Sequence, residues 1–214
     1  MRHDADPGSS MARPFDQLAP KDVVEKAMAA LEQHGMNALF VPNGEAARSK
    51  VLSLIPEGSS VMNMTSATLT AIGVDKDINE SGRFDSIRNK LNSMDRESQN
   101  DEMQMLGAAP PWVIGSVHAV TETGSVMIAS RTGSQLSAYA NGATHVLWVV
   151  GAQKIVRDRK EGLKRIYEYC LPREDRRARE AYGTGSEVNK MLVIFKEHEA
   201  GRITLILVNE RLGF

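Results

Sequence analysis

Val146-Leu147-Trp148-Val149-Val150 is an unbroken apolar run with no polar face to turn toward water. A strand with one wet face alternates apolar and polar side chains. This run must be covered on both sides, as the centre of a parallel sheet between helices is. The flanking pattern agrees. Val23, Val24, Ala27, Met28 and Leu31 recur at helical spacing on one apolar face, with Pro20 and Asp22 suited to the start and Gly35 to the stop. Asn37–Val41 reads as a strand ended by Pro42-Asn43-Gly44, Glu45–Leu54 as a helix, and Ser60–Met64 as a strand. Helix, strand, helix, strand is the alternation of an α/β fold, here a central, mostly parallel sheet covered by helices.

Further along, Trp112–Val120 reads as one strand and Ser125–Ala129 as another, joined by the Thr121-Glu122-Thr123-Gly124 turn into a β-hairpin. A short helix is expected over Ser134–Ala140, a longer one over Lys160–Tyr169, and a very basic turn over Arg173–Arg179. Met191–Phe195 and Arg202–Val208 are the last strands. Asp75 to Glu102 holds eight acidic and five basic side chains and suggests one or two surface helices. Residues 1–14 have little to bury and read as a disordered leader; 15–214 read as a single domain.

The 26 Lys and Arg against 27 Asp and Glu leave a net charge of -1, which argues against nucleic acid as a partner. The single cysteine, Cys170, excludes an internal disulfide and a thiolate-bound cluster. The longest apolar run is far short of the about 20 residues of a membrane span, and the first residues lack a signal-peptide run. A soluble cytoplasmic chain is the expectation, without a membrane partner.

Ser/Thr/Gly clusters directly follow several strands, where α/β proteins bind ligands. Thr65, Ser66 and Thr68 follow the second strand, Thr132, Gly133 and Ser134 follow the hairpin, and Gly183, Thr184, Gly185, Ser186 and Lys190 form a third loop. Backbone N–H groups and hydroxyls there suit an anion; the plainer role of Thr65 or Ser66 is to cap a helix. Val188 breaks the dinucleotide pattern, and no P-loop, metal-ligand spacing or nucleophile elbow occurs, so neither cofactor nor metal is expected. Glu122 is the candidate catalytic carboxylate, since a tight turn between apolar strands would desolvate it and raise its basicity. Against this stands an ordinary solvated turn glutamate. His118 reads as a hydrogen-bonded structural histidine. Lys154 to Glu180 holds ten basic and six acidic residues, a run that is usually solvated surface.

Gly115-Ser116-Val117-His118-Ala119-Val120-Thr121-Glu122-Thr123-Gly124-Ser125 and His145–Val156, together with Met64-Thr65-Ser66 before Ala71-Ile72-Gly73-Val74, resemble the LUD family of lactate-utilisation C-type proteins from about Asp22 to Phe214. The resemblance implies a fold like the NagB/RpiA/CoA-transferase group. Class I CoA transferases there carry a Ser-Glu-Asn-Gly motif whose Glu forms a thioester with CoA; Thr121-Glu122-Thr123-Gly124 matches its Glu and Gly. The family's Gly-Pro-Ser-x-Thr-Ala-Asp-Ile loop is replaced by Gly183–Lys190, which points to a different ligand.

Three functions follow as expectations. The first is a binder of a small anionic metabolite within lactate or 2-hydroxy-acid utilisation, alongside iron–sulfur partner proteins of a lactate-oxidation system. The second is an enzyme acting on a CoA thioester or phosphorylated small molecule through Glu122. The third is an interaction module, assembling with a partner or with itself as a homo-oligomer. Thr123 and Gly124 are expected to line one cleft with the three loops.

Overall fold

A computed structural model describes residues 13–214. Most of the expected leader lies outside the described residues; Arg13, at its end, donates from Nη2 to the Ile155 carbonyl. Helix α1 (Lys21–Gln33) starts after Pro20, buries Val24, Ala27 and Leu31, and ends before Gly35 at φ +79°. There follow β1 (Asn37–Val41), α2 (Gly44–Leu54), β2 (Ser60–Asn63), α3 (Ala67–Ile72), α4 (Val74–Glu80), β3 (Asp85–Ser86), α5 (Ile87–Ser93) and α6 (Asn100–Ala108). The charge-rich Asp75–Glu102 stretch is thus more than a solvated face. It carries a short strand, and Ile78, Phe84 and Ile87 are buried because they recur on the sides that meet the sheet.

The single strand expected over Trp112–Val120 is two strands in two sheets, β4 (Trp112–Gly115) and β5 (Ala119–Thr121). Two contacts from distant residues accompany the break. The Tyr139 hydroxyl occupies the space beside Gly115, 1.8 Å from where a Cβ would stand, and Ser116 turns back to donate to the Val149 carbonyl at 2.7 Å. The expected hairpin is present, β5 pairing antiparallel with β6 (Val126–Ser130). Instead of a regular helix over Ser134–Ala140 the chain makes a wide turn at Ala138–Gly142. Then come β7 (His145–Gly151), β8 (Ile155–Val156) and α7 (Arg159–Arg165).

The basic turn expected at Arg173–Arg179 is instead inside α8 (Leu171–Tyr182), which continues α7 through a π-type turn at Ile166–Cys170. Pro172 has no N–H to donate and tolerates the first turn of α8. Arg177–Glu174 and Arg179–Asp175 pairs, three and four residues apart, make the charged sequence helix-compatible. Strands β9 (Lys190–Ile194) and β10 (Ile203–Val208) complete the chain.

The main sheet is six parallel strands in the order β1-β10-β7-β4-β2-β3; a second has the order β8-β5-β6-β9. The apolar run lies in β7, where Val146 to Val150 are buried on both faces. One face packs Val61, Ile114, Leu147, Val149 and Ile206 against α2 to α4. The other packs Val113, Val146, Trp148 and Leu205 against α1 and the inner side of the second sheet. This is the expected α/β architecture, a central parallel sheet covered by helices. Among the described residues, no helix is long and apolar enough to cross a membrane.

Candidate functional site

The strand order fixes where a ligand crevice is expected. From β2 the chain moves outward to β3, whereas from β4 it moves inward to β7. The segment after β2 enters α3 on one face, and the segment after β4 enters the second sheet on the other. Loops that part in this way leave a gap at the carboxyl ends of the two strands, the usual ligand position in an open α/β sheet.

Lys154 fills that gap. It follows β7 and is 2% exposed. Its Nζ donates to Thr68 Oγ1 at 3.0 Å, Ser116 Oγ at 3.1 Å and the Val117 carbonyl at 3.2 Å. Both hydroxyls give their own protons elsewhere, Thr68 to the Leu212 carbonyl and Ser116 to that of Val149. Three acceptors therefore face three ammonium protons. Burial opposes the charge and, with the neighbouring Arg165 cation, pulls the ammonium pKa from 10.5 down to about 7, against a smaller raising effect of Cys170. Beside it Gln153 exchanges hydrogen bonds with both backbone groups of Leu212, binding the C-terminal residues across the strand ends.

His118 accepts the Ala129 N–H on Nδ1 at 3.2 Å, which puts its own proton on Nε2. Burial, then the Lys154 and Arg165 charges, push its pKa down to about 3. It is a neutral, hydrogen-bonded histidine, as its sequence context suggested.

Arg165 is fully buried and lies within the same electrostatic neighbourhood. Its Nη1 donates to Cys170 Sγ at 3.0 Å, and its plane neighbours the Tyr169 and Phe15 rings at 4.8 and 5.9 Å. Neither Lys154 nor Arg165 has a carboxylate partner among the described residues.

The expected site residues fall in three places. Thr68 reaches the Lys154 crevice; Ser66 caps α3 through the Leu69 N–H at 3.4 Å, and Thr65 is exposed beside it. The Thr121–Gly124 turn docks instead on the end of α1. Glu122 Oε2 pairs with Lys26 Nζ at 2.8 Å, Thr123 Oγ1 meets Thr121 Oγ1 at 3.0 Å, and Gly124, at φ +79°, lies against the Ala30 backbone and His34.

The remaining two loops meet each other. Arg131 donates to Thr184 and Gly185, Lys190 to the Thr132 carbonyl at 2.6 Å, and Ser186 N–H to Asp175; the Gly133 N–H goes to Ser130. Ser134 lies on this surface, and Gly183 ends α8. These loops and the Glu122 turn flank opposite ends of β6, a strand length of roughly 17 Å.

Sequence reasoning missed Lys154, Ser116, Gln153 and Arg165. The available signal was Lys154 standing between Gly151-Ala152 and Ile155-Val156, a cation inside apolar sequence.

A parallel six-stranded sheet with a buried lysine at its carboxyl edge defines the class. The LUD domain model matches residues 24–208, and the chain belongs to that family. Among solved structures it is similar to a DUF162 family protein from Deinococcus radiodurans, with a TM-score of 0.54 and 11% identity over 90% of this chain and 99% of that one. That likeness is one of fold. No curated protein matches the chain.

Proposed function

We propose that this LUD-domain protein binds a small anionic metabolite in the crevice between the ends of β2 and β4, as a component of lactate or related 2-hydroxy-acid utilisation. One observation carries the reading: Lys154, a buried cation without a carboxylate partner among the described residues, stands at the switch point of the sheet. Buried charges are ordinarily paired, because the desolvation of an unpaired one is costly. An anion exchanging places with the Thr68 or Ser116 hydroxyl supplies the missing countercharge. Family membership supports the metabolic setting.

Thermal unfolding against lactate, pyruvate, CoA thioesters, sugar phosphates and reduced folates tests it. A ligand at 100 times its dissociation constant stabilises the native state by roughly 2.7 kcal/mol. The expected result is a rise in midpoint that Lys154→Met abolishes and Glu122→Gln preserves. If Glu122→Gln instead abolishes turnover of a CoA or phosphate ester, the enzymatic alternative takes its place. No shift across the panel favours the interaction module.

A further inference from the structure

Three arginines direct their Nε to a carboxylate, and a fourth, fully buried, does not. Arg48 and Arg177 each grip a carboxylate with the Nε–Nη2 edge, Asp77 at 2.6 and 2.6 Å and Glu174 at 2.7 and 2.6 Å. Arg202, buried like Arg165, directs Nε to Glu197 and both terminal nitrogens to the carbonyls of Ala143, Tyr139 and Ala140. In Arg165 the same Nε–Nη2 edge has no partner among the described residues, although both atoms are buried. Its remaining nitrogen is already engaged with Cys170. The Nε of Arg13, a neighbouring cation, is likewise buried and unpartnered.

Two parallel N–H donors on one guanidinium edge are the geometry that takes two oxygens of one oxyanion. We propose that Arg165 is the oxyanion seat of this protein, its open Nε–Nη2 edge receiving the carboxylate or phosphate group of a small ligand, with Arg13 Nε as an additional donor. This deepens the reading above and rests on it for the ligand being a small anionic metabolite. Arg13 and Phe15 lie beside the guanidinium in the irregular segment that precedes α1, so the ligand gains the edge when that segment shifts.

The full chain is unfolded thermally in sodium lactate, acetate or phosphate, each against sodium chloride at equal ionic strength and pH. The wild type is expected to rise by roughly 5–10 °C at 100 times the dissociation constant. A response to lactate and acetate assigns the seat to carboxylates; a response to phosphate alone assigns it to phosphate esters. Arg165→Met, which removes an unpaired buried charge, should melt no lower than wild type without ligand and lose the rise. Arg165→Lys keeps the charge without the fork and should weaken apparent affinity at least tenfold, which keeps the test open should the methionine variant not fold.

A rise retained in both variants, or no rise with any of the three anions, overturns the proposal. Lys154→Met separates the two readings. Loss there with retention in the Arg165 variants keeps the crevice and removes the seat; the opposite result keeps the seat and removes the crevice.

Discussion

Lys154 Nζ and Ser116 Oγ lie 3.1 Å apart, and the lysine is the donor, because the serine proton is committed to the Val149 carbonyl. The crevice is thereby built around an ammonium ion. Its hydrogen bonds favour the charged form while its burial favours the neutral one, so this side chain is a pH-dependent element of the fold.

The sign of that dependence follows from the two pKa values. Lys154 titrates near 10.5 in the unfolded chain and at about 7 when folded. Between these values the unfolded chain holds a proton that the folded chain has released. The contribution of Lys154 to stability therefore rises with pH from 7 to 10.5, by at most about 1.4 kcal/mol per pH unit. Urea unfolding of wild type and Lys154→Met across this window should give curves that diverge with pH, and parallel curves would contradict the assignment.

His118 acts on the acid side. Its folded pKa of about 3 lies below the ordinary 6.5, so the unfolded chain binds the extra proton between them. Stability falls as the pH drops through this interval. His118→Gln should flatten the decline, although it loses the Ala129 bond and starts from lower stability at neutral pH. Acid unfolding followed by circular dichroism measures both effects.

Gly115 is needed for space. A methyl group there would stand 1.8 Å from the Tyr139 hydroxyl. Gly115→Ala should destabilise by about 1–3 kcal/mol through overpacking, and Tyr139→Phe in the same chain should recover part of that loss. Chemical denaturation of the two single variants and the double variant reads the coupling directly; additive losses would mean that the hydroxyl is not the obstacle.

Arg202 and Arg165 should respond in opposite ways to the same substitution. Arg202→Met leaves Glu197 buried without its cation and frees three backbone carbonyls. A loss of roughly 3–5 kcal/mol is expected. Measured beside ligand-free Arg165→Met, this tests whether the two buried guanidinium groups differ as their partners do.

The readable parts of the sequence were those where one local rule dominates. β1 matches its expected bounds because Pro42-Asn43-Gly44 ends it unambiguously, and β7 was legible because apolar side chains fill both faces. The break at Gly115 was hidden because the apolar pattern resumes at Val117, and the contacts made there, Tyr139 at Gly115 and Val149 at Ser116, come from residues distant in sequence. α8 was obscured by Pro172 and its charge density, whose i, i+3 and i, i+4 pairs appear only once the helix is formed. The two buried cations were lost in an average: Lys154 and Arg165 both belong to the basic run that counts as surface, and burial separates them from their neighbours. The post-strand rule pointed to a cluster of which one member, Thr68, donates to the Leu212 carbonyl and accepts from Lys154.

The order of strands also sets a timetable. β1 has β10 as its partner in the main sheet, and β10 in turn separates it from β7. A chain made from its amino end therefore exposes Asn37–Val41 as an unpaired edge until Ile203–Val208 has emerged from the ribosome. From the time β7 is made until β10 follows, the sheet has a vacant slot beside β7. The last strand closes it, joining the earliest-made strand to the rest in one late step.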